Sequence, residues 1–271
     1  MVVQNFFEMI KRKIIFLGCT KFSDDILSFL IKEKHEVLAI FSIPETFQIS
    51  YSEKEVKNSN FSDLSIIAKK NSIPFYIVDK SKKRTLEFYH TKIESLKPDV
   101  IIAGGWYYMI SKQIRQIPKE GVWGLHASLL PNYAGGAPLV WALINGESQT
   151  GVTLFKMDAG IDDGDIISQG KIMISEDDNI KSLINKSKEV SKRLLSKALS
   201  QSKITYKRQD KSKIKIHPQR SPEDAEIDWS WNIKRIENFI KAQTKPYPGA
   251  WTIIGNYKIT IWDAKIEKIN S

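Results

Sequence analysis

The sequence holds a single cysteine, Cys19, among 271 residues. No internal disulfide can form, and a reducing, cytoplasmic setting is the expectation. No apolar run reaches the ~18 residues that a membrane span requires, so no membrane partner is expected. The opening stretch, MVVQNFFEMIKRK, puts its apolar residues ahead of its basic ones. That is the reverse of a secretory signal, and the stretch reads as an N-terminal extension. Histidine is scarce: His35, His90, His126 and His217 are the four. With no H-E-x-x-H, no C-x-x-C and no histidine cluster, no metal site is expected. The turn Gly18-Cys19-Thr20-Lys21-Phe22-Ser23 has one glycine, short of the G-x-G-x-x-G fingerprint that lets a pyrophosphate lie on the backbone. It reads as an ordinary strand-to-helix turn. Ser128 lacks the G-x-S-x-G elbow of a nucleophilic serine. Asp158, Asp162, Asp163 and Asp165 lack the EF-hand spacing and its closing Glu. There is no internal repeat.

What is abundant is positive charge. Forty-one basic residues against 31 acidic ones give a net charge of +10. Such a surface attracts nucleic acid, phosphorylated substrates or polyanionic cofactors. The lysines are scattered, as at Lys181, Lys186, Lys188, Lys192 and Lys197, rather than gathered into a stripe. A compositional bias or a small anionic ligand therefore outweighs nucleic acid. A hydrophobic share of 42% with 27% charged residues fits a soluble chain with a sizeable core.

The pattern along the chain alternates strands with helices. Lys13 to Leu17, Glu36 to Ile43, Ile73 to Val78 and Val100 to Ala103 read as strands. Stretches beginning near Ile26, Leu64 and Leu86 read as helices. Glu45 to Ser59 reads as a loop. This alternation predicts an α/β fold with a parallel sheet covered on both faces. Gly170 to Ile174 reads as a strand and Ile180 to Leu199 as a long amphipathic helix. Composition then shifts. A catalytic domain over 1–205 is expected, followed by a small C-terminal subdomain over 206–271. In the latter, Lys211 to Ile216 reads as strand-like, Ile227-Asp228-Trp229 as a short element and Asn232 to Gln243 as a helix. Trp251 to Ile254 and Tyr257 to Asp263 read as a closing hairpin around Gly255-Asn256.

The chemistry concentrates between Trp123 and Gln169. His126 stands in a glycine-bearing turn, Gly124-Leu125-His126-Ala127-Ser128. A glycine-proline loop follows at Gly135-Gly136-Ala137-Pro138, then a β-like run from Gly151 to Phe155. An acidic glycine loop closes it, from Met157-Asp158-Ala159-Gly160 through Ile161-Asp162-Asp163-Gly164-Asp165. His126 is the one group here that trades a proton near neutral pH, and a carboxylate such as Asp162 can orient it. By residue type alone His126 serves as a base or as a loop cap with equal ease. Gly104-Gly105-Trp106-Tyr107-Tyr108-Met109-Ile110 lies at the carboxyl end of a strand, where open α/β sheets bind ligands. Its aromatics fit either a flat ring laid on the backbone or a core under a loop.

His126-Ala127-Ser128-Leu129-Leu130-Pro131, Gly135-Gly136-Ala137-Pro138, Gly151-Val152-Thr153 and Met157 to Ile166, in that order, resemble the formyltransferases that use N10-formyltetrahydrofolate. The resemblance implies a Rossmann-like formyltransferase domain with a small C-terminal α+β extension. It implies N10-formyltetrahydrofolate as co-substrate, with no metal. Family members share an Asn-x-His…Asp triad. His126 and Asp162 match its last two members, and Gly124 occupies the Asn position. The family's Asn helps His hold the oxyanion of the tetrahedral intermediate, and losing such a donor costs about 3–4 kcal/mol. Hydrolase domains of the family also lack this Asn, so formyl hydrolysis stays open.

The tail, Pro218 to Asp224 with Ile227-Asp228-Trp229 and Ile240 to Ala250, resembles enzymes that formylate amino sugars on nucleotides, as do Gly105 to Tyr108 and Leu139-Val140-Trp141. Under that resemblance the pterin lies on Trp106, Met109, Ile110, Asp158, Gly160, Asp162 and Asp165. Ser128, Gly135, Gly136 and Pro138 shape the side that takes the nucleotide-linked amino sugar, and a homodimer is expected. The tRNA-directed branch usually carries an Arg/Gly-rich loop after its second strand and a longer C-terminal domain. Glu45 to Ser59 has no arginine. Methionyl-tRNA formyl transfer, a formyltetrahydrofolate hydrolase and a folate-binding pseudoenzyme remain the alternatives.

Overall fold

The computed structural model describes residues 11–48 and 55–268. Residues 1–10 of the N-terminal extension and residues 49–54 of the Glu45–Ser59 stretch lie outside the described residues.

The first strand, β1 (Lys13–Leu17), explains how the sheet is buried. Ile14, Ile15, Phe16 and Leu17 are all inaccessible to solvent. Side chains of a strand alternate between its two faces, so a strand covered on both sides is apolar throughout. Ile14 and Phe16 join one apolar cluster, Ile15 and Leu17 the other. The chain then runs α1 (Lys21–Lys32), β2 (Glu36–Ser42), the short pair β3 (Thr46–Phe47) and β4 (Val56–Lys57), α2 (Ser65–Lys70), β5 (Phe75–Ile77), α3 (His90–Ser95), β6 (Val100–Ala103), α4 (Lys112–Arg115) and β7 (Val122–His126). It continues through β8 (Ala134–Gly135), α5 (Pro138–Ile144), β9 (Gln149–Lys156), β10 (Ile166–Met173), α6 (Ile180–Leu199), β11 (Ile216–His217), α7 (Ile233–Gln243), β12 (Ala250–Ile254) and β13 (Tyr257–Ile261). The main sheet has seven strands in the order β10-β9-β7-β6-β1-β2-β5.

The α/β fold follows the alternation in the sequence, and the sheet is not wholly parallel. β7, β6, β1, β2 and β5 pair in parallel, whereas β9 is antiparallel to β7 and β10 to β9. β9 and β10 are joined by the acidic loop directly, too short a link for a parallel crossover. The long helix α6 begins where the apolar period begins. Asn179 caps it, with its side chain accepting from Ser182 N, and Leu183, Leu194 and Leu195 face the sheet. The C-terminal elements share that core. Ile236, Phe239 and Ile240 of α7 and Ala250 of β12 join the same cluster as β1 and β6.

Six local readings change. Val122 to His126 is a strand, not a turn. An interior glycine counts against a strand, but Gly124 stands opposite Phe155 in the β7–β9 register, and the ring covers it. Pro138 opens helix α5 rather than closing a loop, because the first helical position needs no N–H. The strand read at Gly170–Ile174 begins earlier, at Ile166. Lys211 to Ile216 is a short 3-10 turn with only Ile216–His217 paired. The Asp210 side chain accepts from Ser212 N at 3.2 Å there, a local bond that competes with extended backbone. Ile227-Asp228-Trp229 forms no regular element, and the helix read from Leu86 to Leu96 splits into a 3-10 turn and α3.

Candidate active site

His126 is the last residue of β7, and its side chain shares a face with Val122 and Gly124. The loop between β9 and β10 folds over that face: Met157 packs with Val122, and Asp162 reaches His126. His126 is 9% exposed. Its Nε2 lies 2.7 Å from the carbonyl oxygen of Tyr133. A carbonyl only accepts, so Nε2 carries the hydrogen. Nδ1 then faces the Asp162 carboxylate, with Oδ2 3.4 Å away. A proton taken up at Nδ1 is held between the ring and that carboxylate.

Asp162 is fixed independently of the histidine. Its Oδ2 accepts from Gly135 N at 2.8 Å. Its backbone sits in the left-handed region, φ 51, which aspartate tolerates better than most residues. The loop is braced elsewhere. Gly160 N donates to Asp163 Oδ1 at 3.1 Å, and Lys211 Nζ reaches Asp163 Oδ2 at 2.7 Å. The turn after His126 is pinned by Thr153, its register partner and fully buried. Thr153 Oγ1 donates to Ser128 O at 2.7 Å and accepts from Leu130 N at 3.1 Å and Gln169 Nε2 at 2.9 Å. Thr153→Val keeps the shape and strands these buried groups. We expect a loss of about 2–4 kcal/mol in urea unfolding, with His126 still present.

Gly124, at the triad position where the resemblance places Asn, is not backed by free space. A Cβ there would lie 2.7 Å from Phe155 Cε1 and 3.2 Å from Met157 Cγ. No side-chain donor stands at this position.

The other expected site residues divide. Trp106 is half-buried, edge-on to Tyr108, and its Nε1 is buried with no acceptor. Buried N–H groups are ordinarily paired, so this one suits a polar ligand atom. Ile110 is 3% exposed and belongs to the core, whereas Met109 points outward. Asp158, Gly160 and Asp165 lie on the loop, with the Asp158 carbonyl accepting from Arg115. The Ser128 hydroxyl is spent inside its own turn, donating to Asn132 O at 2.6 Å. Gly135 and Gly136 are covered by the 216–219 segment: Gly135 pairs with His217, and a Cβ on Gly136 would lie 2.4 Å from Gln219 Cα. Pro138 begins α5 beside them. Cys19 offers no nucleophile, since burial pushes its thiol up to about 12.

Sequence reading did not find Tyr133, Phe155, Gln209 or Lys211. Tyr133 acts through its carbonyl, Phe155 looks like core, and the 207–211 run looks like basic surface. The described residues form two clefts, of which the larger reaches the start of the acidic loop and the smaller lies between α1 and α6. One of about 160 Å³ lies among Lys21, Phe22, Lys181, Lys188, Lys245 and Pro246. An open one of about 650 Å³ lies among Lys112, Arg115, Lys119, Lys156, Met157 and Asp158. Among the described residues, no three His, Cys, Asp or Glu side chains gather to hold a metal ion, and no helix is long and apolar enough to cross a membrane.

Solved structures of similar fold include WlaRD, a sugar 3N-formyl transferase determined in the presence of dTDP and 5-N-formyl-THF. It is 22% identical, with 93% of this chain and 85% of that one covered and a TM-score of 0.67. A 4-N formyltransferase from Francisella tularensis is 19% identical, covering 95% and 99%, with a TM-score of 0.70. Methionyl-tRNA formyltransferase from Clostridium thermocellum is 18% identical, covering 94% of each chain, with a TM-score of 0.67. That last coverage removes C-terminal length as a ground for setting the tRNA branch aside. The formyl transferase family model matches residues 12–199, and the model of the formyl transferase C-terminal domain matches 220–271. With most of its length so matched, and with a histidine–carboxylate pair where its sheet presents it, the chain belongs to the formyl transferase family.

Proposed function

We propose that this chain moves the formyl group of N10-formyltetrahydrofolate onto the amine of a nucleotide-linked amino sugar, giving a formamido sugar for surface polysaccharide. The observation that carries the reading is the His126–Asp162 pair, 3.4 Å apart at the carboxyl end of β7 under the acidic loop. When bound, the co-substrate supplies the formyl carbon. The residues present suit it: Trp106 Nε1 lacks an acceptor, and the 650 Å³ cleft reaches Met157 and Asp158. Lys112 and Lys156 at that cleft match the carboxylates of a folate tail, whereas Lys119 is paired with Asp99 at 2.6 Å.

His126 accepts, at Nδ1, the proton that the attacking amine loses, and Asp162 holds the charged ring in place. The proton then passes to the nitrogen that leaves the formyl carbon. Nε2–H is already committed to Tyr133 O. With Phe155 across from Gly124, no side-chain amide stands at that position, and main-chain N–H groups are left to meet the oxyanion. A smaller cleft, between α1 and α6, shares no lining residue with β7 or the acidic loop. Lys21, Lys181 and Lys245 ring it beside the apolar Phe22 and Pro246, a combination that fits a phosphate-bearing ligand. Lys188 is already paired with Asp25.

The test is mass spectrometry of a panel of nucleotide-linked amino sugars incubated with enzyme and N10-formyltetrahydrofolate. A single formyl group added to one panel member is the expected result. Formylated methionyl-tRNA in a parallel reaction, with the panel unchanged, moves the assignment to the tRNA branch. Formate without any formylated amine makes the chain a hydrolase.

A further inference from the structure

Between the two stretches matched to the family, residues 200–219 lie partly against the acidic loop. Contacts recur at Lys207, Gln209 and Lys211. Lys207 exchanges backbone bonds with Ile166 at 2.7 and 2.8 Å. Lys211 Nζ reaches Asp163 Oδ2 at 2.7 Å. Gln209, between them, is 5% exposed. Its Nε2 donates to the carbonyl of Asp162 at 2.8 Å and to that of Gly164 at 2.6 Å. One amide group thus holds the loop backbone at Asp162 itself and two residues beyond it.

The orientation of that amide is fixed by its partners. Both acceptors are carbonyls, so only the NH₂ end can face them. The other end, Oε1, is buried with no partner, so these two bonds to the loop are what hold the side chain. Asp162 needs such holding. Its φ of 51 is one that non-glycine residues adopt only when the surroundings impose it. The carboxylate meets Nδ1 at 3.4 Å, where a small drift of the loop takes it out of reach.

We infer that Gln209 is a positioning residue that sets Asp162 against His126. It acts on the loop backbone from outside the site and touches no reacting atom. The inference rests on the proposed formyl transfer for its kinetic consequence, but its geometric content does not.

Gln209→Glu is the sharpest variant, because it keeps the shape and removes both donors. Gln209→Ala is the second. Each is compared with Asp162→Ala by ¹⁵N NMR of the His126 ring without ligand, the signal being identified by its loss in His126→Gln. Both Gln209 variants should move the Nδ1 resonance in the direction that Asp162→Ala moves it. In the transfer assay kcat should fall about 10- to 100-fold, with KM for both substrates within about threefold. Adding either change to Asp162→Ala should cost nothing further, since the route it acts through is already gone. An unmoved His126 signal in a folded variant overturns the inference. So do losses that multiply with Asp162→Ala, or two variants that fail to fold. Absence of transfer by the unaltered enzyme would count against the functional reading alone, because the NMR comparison still decides the role of Gln209.

Discussion

Alanine at His126 lowers kcat for formyl transfer about 100-fold or more, and alanine at Asp162 does the same. The double variant falls little further than either. The reason lies in how the two side chains are held. Nε2 of His126 is tied to Tyr133 O at 2.7 Å, so Nδ1 is the only ring atom free to gain a proton. Among the described residues, Asp162 alone stands within ion-pair distance of that atom. Residues that act as one unit are lost as one unit, which is why the effects do not add. Asp162→Asn separates charge from placement. It keeps an oxygen for the Gly135 N–H, now bound at 2.8 Å, and removes the negative charge. It should resemble Asp162→Ala in kcat while leaving the unfolding midpoint in urea nearer to that of the unaltered protein. Turnover that survives in both His126→Ala and Asp162→Ala would remove this pair from the chemistry.

The difference between what the sequence reveals and what it hides follows from which atoms do the work. Helix α6 was legible to the residue, because Asn179 caps it and apolar side chains recur at helical spacing from Ile180 to Leu199. The closing hairpin was legible through Gly255-Asn256 between two apolar runs. His126 and Asp162 were legible as chemistry, since few side chains of a 271-residue chain can trade or hold a proton in a glycine loop. The element that carries His126 was not. Gly124 makes Val122 to His126 look like a turn, and its cover, Phe155, lies far along the chain. The antiparallel edge was hidden for the same reason, since the direction of β9 against β7 is set by pairs far apart in the chain, such as Trp123 with Lys156. Gln209 was hidden more deeply. Its partners are backbone carbonyls, and a carbonyl carries no residue identity.

Gly124→Asn, which restores the residue that the family resemblance places there, should weaken this protein rather than repair it. Its Cβ would stand 2.7 Å from Phe155 Cε1 and 2.9 Å from Cζ. Phe155 cannot swing aside freely. It is 2% exposed and packed with Leu130, Ala134 and Ile166. Forcing a side chain into such a space costs about 1–3 kcal/mol, and a new buried amide without partners adds to that. The single variant should therefore unfold at lower urea and transfer no faster. Gly124→Asn with Phe155→Val removes the obstruction. If the oxyanion lacks a donor in this chain, the double variant should exceed Phe155→Val alone by about 10- to 100-fold in kcat, toward what one oxyanion donor supplies elsewhere. KM should barely change, because the added bond strengthens in the transition state rather than in the bound substrate. A folded double variant no faster than Phe155→Val means that main-chain N–H groups already meet the oxyanion. Glycine at 124 is then a change of donor rather than the loss of one, and the Gly124–Phe155 contact serves the strand pair.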